Sequence, residues 1–257
     1  MLSFVLQDKT KEAMKVISFF SAKGGTGKTT FNMLLASYLK YVLGKSVIVI
    51  DFDAPENNFS ATREREVFVF LEKDPDADIS AFYPVRQIKA TSEAGIRKAI
   101  AEVASLEGRY DYVIIDAPGS MSEAEATSMI LTSRLLDLAV IPTDVDGMSI
   151  ASSYSLGEAC RSCGIPFFIF FNRVVWQEKK DLYDAFTQMF TDGGMTVSAN
   201  RIKHTVKLRR DSDNAGVYLR SSIRFPEKEI RACIPELISL FEEVLVYEGT
   251  EKTEKTA

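Results

Sequence analysis

Lys23-Gly24-Gly25-Thr26-Gly27-Lys28-Thr29-Thr30 is the stretch on which the rest of the chain depends. It follows the apolar run Val16-Ile17-Ser18-Phe19-Phe20 and precedes Phe31-Asn32-Met33-Leu34-Leu35-Ala36, so it reads as strand, glycine loop, helix. A phosphate-binding loop works in that context. Glycines let the backbone fold tightly enough for successive N–H groups to face a polyphosphate, and the following helix adds its positive end. In the pattern G-x-x-x-x-G-K-[ST], Lys28 falls where the β- and γ-phosphates sit and the Thr29 hydroxyl where Mg²⁺ is bound. Gly24, Gly25, Thr26, Gly27 and Thr30 complete the predicted cradle.

The pattern is broken at one end: Ala22 stands where the first glycine belongs, and a second lysine, Lys23, opens the loop. This is the deviant Walker A motif, and here the sequence resembles the ParA/MinD family of P-loop ATPases. The resemblance implies an α/β P-loop NTPase fold, with a mostly parallel central sheet flanked by helices on both faces. It implies ATP and Mg²⁺ as cofactors, and an ATP-dependent homodimer in which Lys23 reaches across to phosphates held by the other subunit.

The next apolar run, Ser46-Val47-Ile48-Val49-Ile50, ends in Asp51-Phe52-Asp53-Ala54-Pro55. Two carboxylates thus lie at the C-terminal end of a strand, the edge where open α/β sheets bind ligands. Alternate residues of an extended chain point to opposite sides, so the two acids have different tasks. The family pattern D-x-D-x-P assigns Asp51 to the Mg²⁺ shell and Asp53 to the attacking water, making Lys23, Lys28 and Asp53 the catalytic set. The plainer reading is that one or both cap the following helix. Tyr112-Val113-Ile114-Ile115-Asp116 is a second strand ending in an acid, and Asp116 matches the Walker B carboxylate near Mg²⁺. Asn172, after Phe167-Phe168-Ile169-Phe170-Phe171, matches an asparagine that reads adenine in relatives, although an Asn after a strand is also a common turn residue.

Periodicity predicts helices over about 28–43, to about 73, 92–106, 122–133, 148–163, 181–190 and 226–247, with short strands at 82–88 and 138–141. Residues 1–15 form a polar lead, 16–247 a single ATPase domain and 248–257 a polar tail. That lead is too short for the N-terminal helix-turn-helix domain of larger ParA relatives.

At 257 residues, with 46% apolar and 26% charged side chains, composition suits a soluble α/β protein, expected in the cytoplasm and on the nucleoid if it binds DNA. Cys160, Cys163 and Cys233 suit a reducing compartment. The sole histidine, His204, excludes zinc sites built on several histidines. The net charge of −5 hides an asymmetry: residues 200–225 hold seven basic and two acidic side chains, a local +5 against −10 elsewhere. Such a patch suits a localised anionic partner. Lys207, Arg209, Arg210 and Arg220 echo the family's DNA-contacting stretch, while a solvated face or a protein-docking surface is the alternative.

Non-specific DNA and a cargo-bound, ParB-like adaptor are therefore the expected partners, in partitioning or positioning of DNA cargo. A ParA-like accessory ATPase of a conjugative element, acting through a protein partner, is the alternative. A MinD-like membrane-surface ATPase is disfavoured by Glu236, Glu242 and Glu243 in the final helix and Glu248 just after it, so no membrane is expected.

Overall fold

The computed structural model describes residues 13–52, 59–88, 93–117, 124–175, 180–208 and 219–247. Asp53, Ser92, Arg209, Arg210 and the 248–257 tail lie outside the described residues, and so do the expectations that fall on them.

Six strands carry the core: β1 (Lys15–Phe19), β2 (Val47–Asp51), β3 (Val85–Gln87), β4 (Tyr112–Asp116), β5 (Leu138–Thr143) and β6 (Phe167–Phe171). They lie in the order β3-β2-β4-β1-β5-β6, and every pairing is parallel. β2 and β4 are apolar up to their final aspartates and β6 throughout, because both faces of the sheet are covered there. In β2, Val47 and Val49 face a cluster built with α1 (Lys28–Tyr41), α2 (Phe59–Lys73), α7 (Glu227–Cys233) and α8 (Pro235–Val246). Ile48 and Ile50 face the opposite cluster, built with α3 (Glu93–Ala104), α4 (Ala124–Thr132), α5 (Gly147–Cys163) and α6 (Lys180–Asp192). The period of two along each strand is what serves both layers.

Register sets the site. β1 pairs with β4 on one side and β5 on the other, so the loop after β1 leaves from the middle of the sheet. Asp51 and Asp116 are direct register partners at the ends of β2 and β4. Under the loop, Phe19 stacks on Phe31 at 5.2 Å, Phe31 meets Phe170 edge-on at 5.0 Å, and Phe241 closes on Phe19 at 6.2 Å. Such pairs add to burial about 0.5–1.5 kcal/mol each and tie β1, α1, β6 and α8 together.

One expectation holds and one changes. The run Val67-Phe68-Val69-Phe70-Leu71 lies within α2, in the helix expected to reach about residue 73. The single C-terminal helix is instead two, broken where Ile234 takes φ −146° and ψ 63°. Pro235 is the cause: it offers no N–H and pushes the residue before it out of the helical region. Leu237, Ile238, Leu240, Phe241 and Val244 of α8 are buried in the core, so its apolar face is already covered. No helix among the described residues is long and apolar enough to cross a membrane.

Candidate functional site

The loop is shaped by two glycines in the left-handed region, Gly25 at φ 75° and Gly27 at φ 104°. Gly27 begins α1 with no side-chain cap among the described residues, which leaves the first N–H groups of the helix turned toward the loop. A Cβ at Gly27 would lie 3.0 Å from Asn172 Nδ2 and 3.1 Å from the Phe31 ring, besides straining the backbone. Gly27→Ala is therefore expected to reduce ATP affinity at least tenfold and to lower stability by about 1–3 kcal/mol, read by nucleotide titration and thermal melting. Unchanged ATP affinity would show that the loop tolerates a different shape.

Lys28 is buried in the loop, while Thr29 and Thr30 are half-buried. Asn32, one turn into α1, joins three elements: its Oδ1 accepts from Phe19 N–H at 2.8 Å, and its Nδ2 donates to Phe19 O at 3.3 Å and to Asp116 Oδ1 at 2.8 Å. Asp116 is fully enclosed. Its second oxygen, Oδ2, is buried with no hydrogen-bond partner among the described residues. Burial pushes the Asp116 carboxyl up to about 7; the Asn32 hydrogen bond opposes this, Asp51 adds to it, and Thr29 and Lys28 pull down.

Asp51 Oδ2 accepts from Ser60 N–H at 3.0 Å and from the Ser60 hydroxyl at 2.5 Å, so this carboxylate caps the start of α2, as the plainer reading of the sequence allowed. A buried unpartnered carboxylate oxygen beside a threonine hydroxyl fits a small, hard divalent cation, which takes oxygen ligands. Asp116 and Thr29 would hold Mg²⁺, with Asp51 behind them. Bound there, the cation would neutralise phosphate charge and polarise the phosphoryl group.

Lys23 is held at the start of α5. Its Nζ donates to both Asp146 oxygens at 3.0 Å and to Ser149 Oγ at 2.8 Å. Asp146 caps α5 through the Ser149 N–H, and the Ser149 contacts, with Lys23 assisting, draw its carboxyl down to about 2. A cavity of about 110 Å³ lies between the loop and the ends of β5 and β6, bounded by Lys23, Gly24, Thr143, Asp146 and Asn172 among others. Asn172 donates to the Thr26 carbonyl at 2.8 Å and accepts from Arg173 N–H at 2.8 Å, so its amide is engaged with the loop. Arg173 donates to the Gly25 carbonyl.

The basic segment is only partly in view. Lys207 is exposed on the turn Val206–Leu208 with Nζ 3.2 Å from Cys233 Sγ, and Arg220 is half-buried. Arg201 is engaged internally, paired with Asp184 at 2.7 Å and lying over the Tyr183 and Phe171 rings.

Sequence reading brings Lys23, Gly24 to Thr30, Asp51, Asp116 and Asn172 to one edge of the sheet, where they are found. It misses Asn32, Asp146, Ser149 and Arg173. Asp146-x-x-Ser149 carries the signature of a helix cap and was open to detection. Asn32 carries no local signal, being the one polar residue in the run Phe31–Ala36.

The profile of a family described as an AAA domain matches residues 14–73. The chromosome-partitioning ATPase Soj of Thermus thermophilus is 37% identical over 118 residues, 41% of this chain and 47% of that protein. The chain spans about half the length of the curated relatives it matches. Among solved structures, the MinD cell division protein of Aquifex aeolicus superposes with a TM-score of 0.63 at 18% identity, covering 93% of this chain and 99% of that one. The pNOB8 ParA bound to nonspecific DNA gives a TM-score of 0.55 at 19% identity, covering 90% and 97%.

Proposed function

We infer, for a chain that belongs with the ParA and MinD proteins by motif, relatives and fold, that it is a slow Mg²⁺-dependent ATPase whose nucleotide state switches its assembly. One observation carries this reading most directly: the buried Asp116 oxygen without a partner among the described residues, set beside Thr29 and Lys28 at the mouth of a glycine loop. Burying an unpaired polar atom costs about 1–3 kcal/mol, and the other such carboxylate oxygen among the described residues, Glu236 Oε2 on α8, has no threonine and lysine of a glycine loop beside it in the way that Asp116 has.

In this reading Lys28 and the loop N–H groups bind the β- and γ-phosphates. Asp53 orients the attacking water. Lys23 leaves Asp146 and reaches the phosphates of a second copy, so ATP joins two subunits in a sandwich and hydrolysis releases them. Because the dimer lasts only as long as the γ-phosphate, chemistry acts as a timer.

The output is non-specific DNA binding by the ATP-bound dimer, through Lys207, Arg209, Arg210 and Arg220, to partition or position DNA cargo with an adaptor protein. The partitioning relative and the fold neighbour on nonspecific DNA support it. Binding to random-sequence duplex across a salt series tests it, with ATP and with ADP. The expected result is binding with ATP only, weakening steeply with salt through counterion release, and largely lost in Arg209→Ala/Arg210→Ala. Absence of ATP-dependent binding at low salt would sink the DNA output. The second reading would then stand: an accessory ATPase of a conjugative element whose basic segment docks a protein. The internal use of Arg201, which removes one cation from that segment, favours it.

A further inference from the structure

Arg173 is one of two non-glycine residues among those described with positive φ, at 57°. That conformation is disfavoured for a side chain with a Cβ, and such strain collects at functional sites. Its effect is visible in what the two neighbouring side chains reach. Along an extended strand, adjacent residues point to opposite faces. Here Asn172 and Arg173 both reach the same loop and take successive carbonyls: Asn172 Nδ2 donates to Thr26 O at 2.8 Å, and the Arg173 guanidinium donates to Gly25 O. The left-handed kink brings the second side chain round to join the first. The fit is close on the other side as well, since a Cβ on Gly27 would touch Asn172.

Holding those carbonyls has a definite consequence for the donors. In a planar trans peptide, the C=O and the following N–H point in opposite directions. Fixing Gly25 O and Thr26 O toward the end of β6 therefore turns the Thr26 and Gly27 N–H groups the other way. We propose that Arg173 is a positioning residue of the phosphate loop: with Asn172 it pins two loop carbonyls, so that the intervening N–H groups are set toward phosphate before the ligand arrives. The proposal rests on the nucleotide-binding reading above. It assigns a role to a side chain that local sequence marks in no way, and it explains why the strained backbone is retained.

Because the pinned groups belong to the loop and not to the γ-phosphate, ATP and ADP should be affected alike. Arg173→Gly separates the clamp from the fold, since glycine takes φ 57° without strain while removing the donor. Isothermal titration with ATP and with ADP, alongside thermal melting, is the experiment, on wild type, Arg173→Gly and Arg173→Lys. The expected result is a loss of about tenfold in affinity for both nucleotides in Arg173→Gly, on the scale of one hydrogen bond from a charged donor. Its melting temperature should stay within about 3 °C of wild type. Arg173→Lys keeps a single donor and should recover part of the affinity. Affinity within twofold of wild type in Arg173→Gly would overturn the proposal while leaving nucleotide binding intact. So would a fall in melting temperature and affinity together that lysine does not mend, the mark of a merely structural residue. A wild type that binds neither nucleotide would overturn both the proposal and the reading beneath it.

Discussion

The Asp116→Asn variant should lose ATP hydrolysis by about 10²–10³-fold and yet melt higher than wild type when neither nucleotide nor metal is present. The rate falls because the carboxylate that would hold Mg²⁺ is gone, and a Lewis acid at a transferring phosphoryl group is worth several kcal/mol. The stability rises because the charge is carried at a loss in the empty site. The folded carboxyl titrates at about 7 against 3.8 for an ordinary aspartate. Between those values the folded form binds a proton that the unfolded form has shed, so stability declines as pH climbs from about 4 and the full penalty is present above about 7. The shift bounds the penalty at about 4 kcal/mol, reduced in the variant by the asparagine N–H that then needs a partner. A rise of a few degrees at pH 8 and a flatter pH profile are expected from melting curves in chelator. A variant that melts below wild type at pH 8, or hydrolyses ATP at the wild-type rate, would remove Asp116 from the site.

Arg63→Ala is the second large effect, expected to lower the melting temperature by about 5–15 °C. Arg63 lies on α2, one turn beyond the Ser60 that Asp51 caps. Its Nε donates to Ser222 Oγ at 2.9 Å, its two terminal nitrogens donate to Tyr83 O at 2.6 Å and Ser222 O at 2.7 Å, and the guanidinium stacks 4.2 Å from the Tyr83 ring. Glu66 holds the same serine from the other side, accepting from its N–H at 2.7 Å and its hydroxyl at 2.5 Å. Ser222 and Tyr83 are buried, so truncation strands two carbonyls at about 1–3 kcal/mol each. The Tyr41 hydroxyl, 3.3 Å from Ser222 O, offsets a part. Arg63→Lys should recover less than half, because an ammonium cannot reproduce the planar fork. A shift under about 2 °C would show the clasp to be dispensable.

Much of the site could be read because its signals are local. The loop, the acids ending β2 and β4, and the buried strands each declare themselves within about ten residues, and the parallel order follows from the alternation of strand and helix. What could not be read depends on residues brought together by the fold. Asn32 meets Asp116 from 84 positions away, Lys23 meets Asp146 from 123, and Arg173 meets Gly25 from 148. No window along the chain contains those pairs. The broken C-terminal helix is a different case, since Ile234-Pro235 announces a breaker, but the apolar spacing on both sides continues in phase and conceals it. The run Val67 to Leu71 is β-rich by composition and helical in the fold, because Arg63 and Glu66 of the same segment are anchored to Ser222 and carry the helix forward.

The place of β1 at the centre of the sheet has a consequence in time. Its neighbours, β4 and β5, come late, and the Val16 N–H meets Asp137 across 121 positions. At about 5–20 residues per second, a ribosome takes about 6–24 s to make that span. For most of that interval, until β4 is made, the first strand has neither of its sheet neighbours to pair with, and the glycine loop lacks the β6 end that holds its carbonyls. Closing such distant pairings is slow even for a finished chain. Nucleotide can therefore meet a formed cradle only after β5 has docked, and newborn chains that stall earlier expose an apolar segment that chaperones must cover.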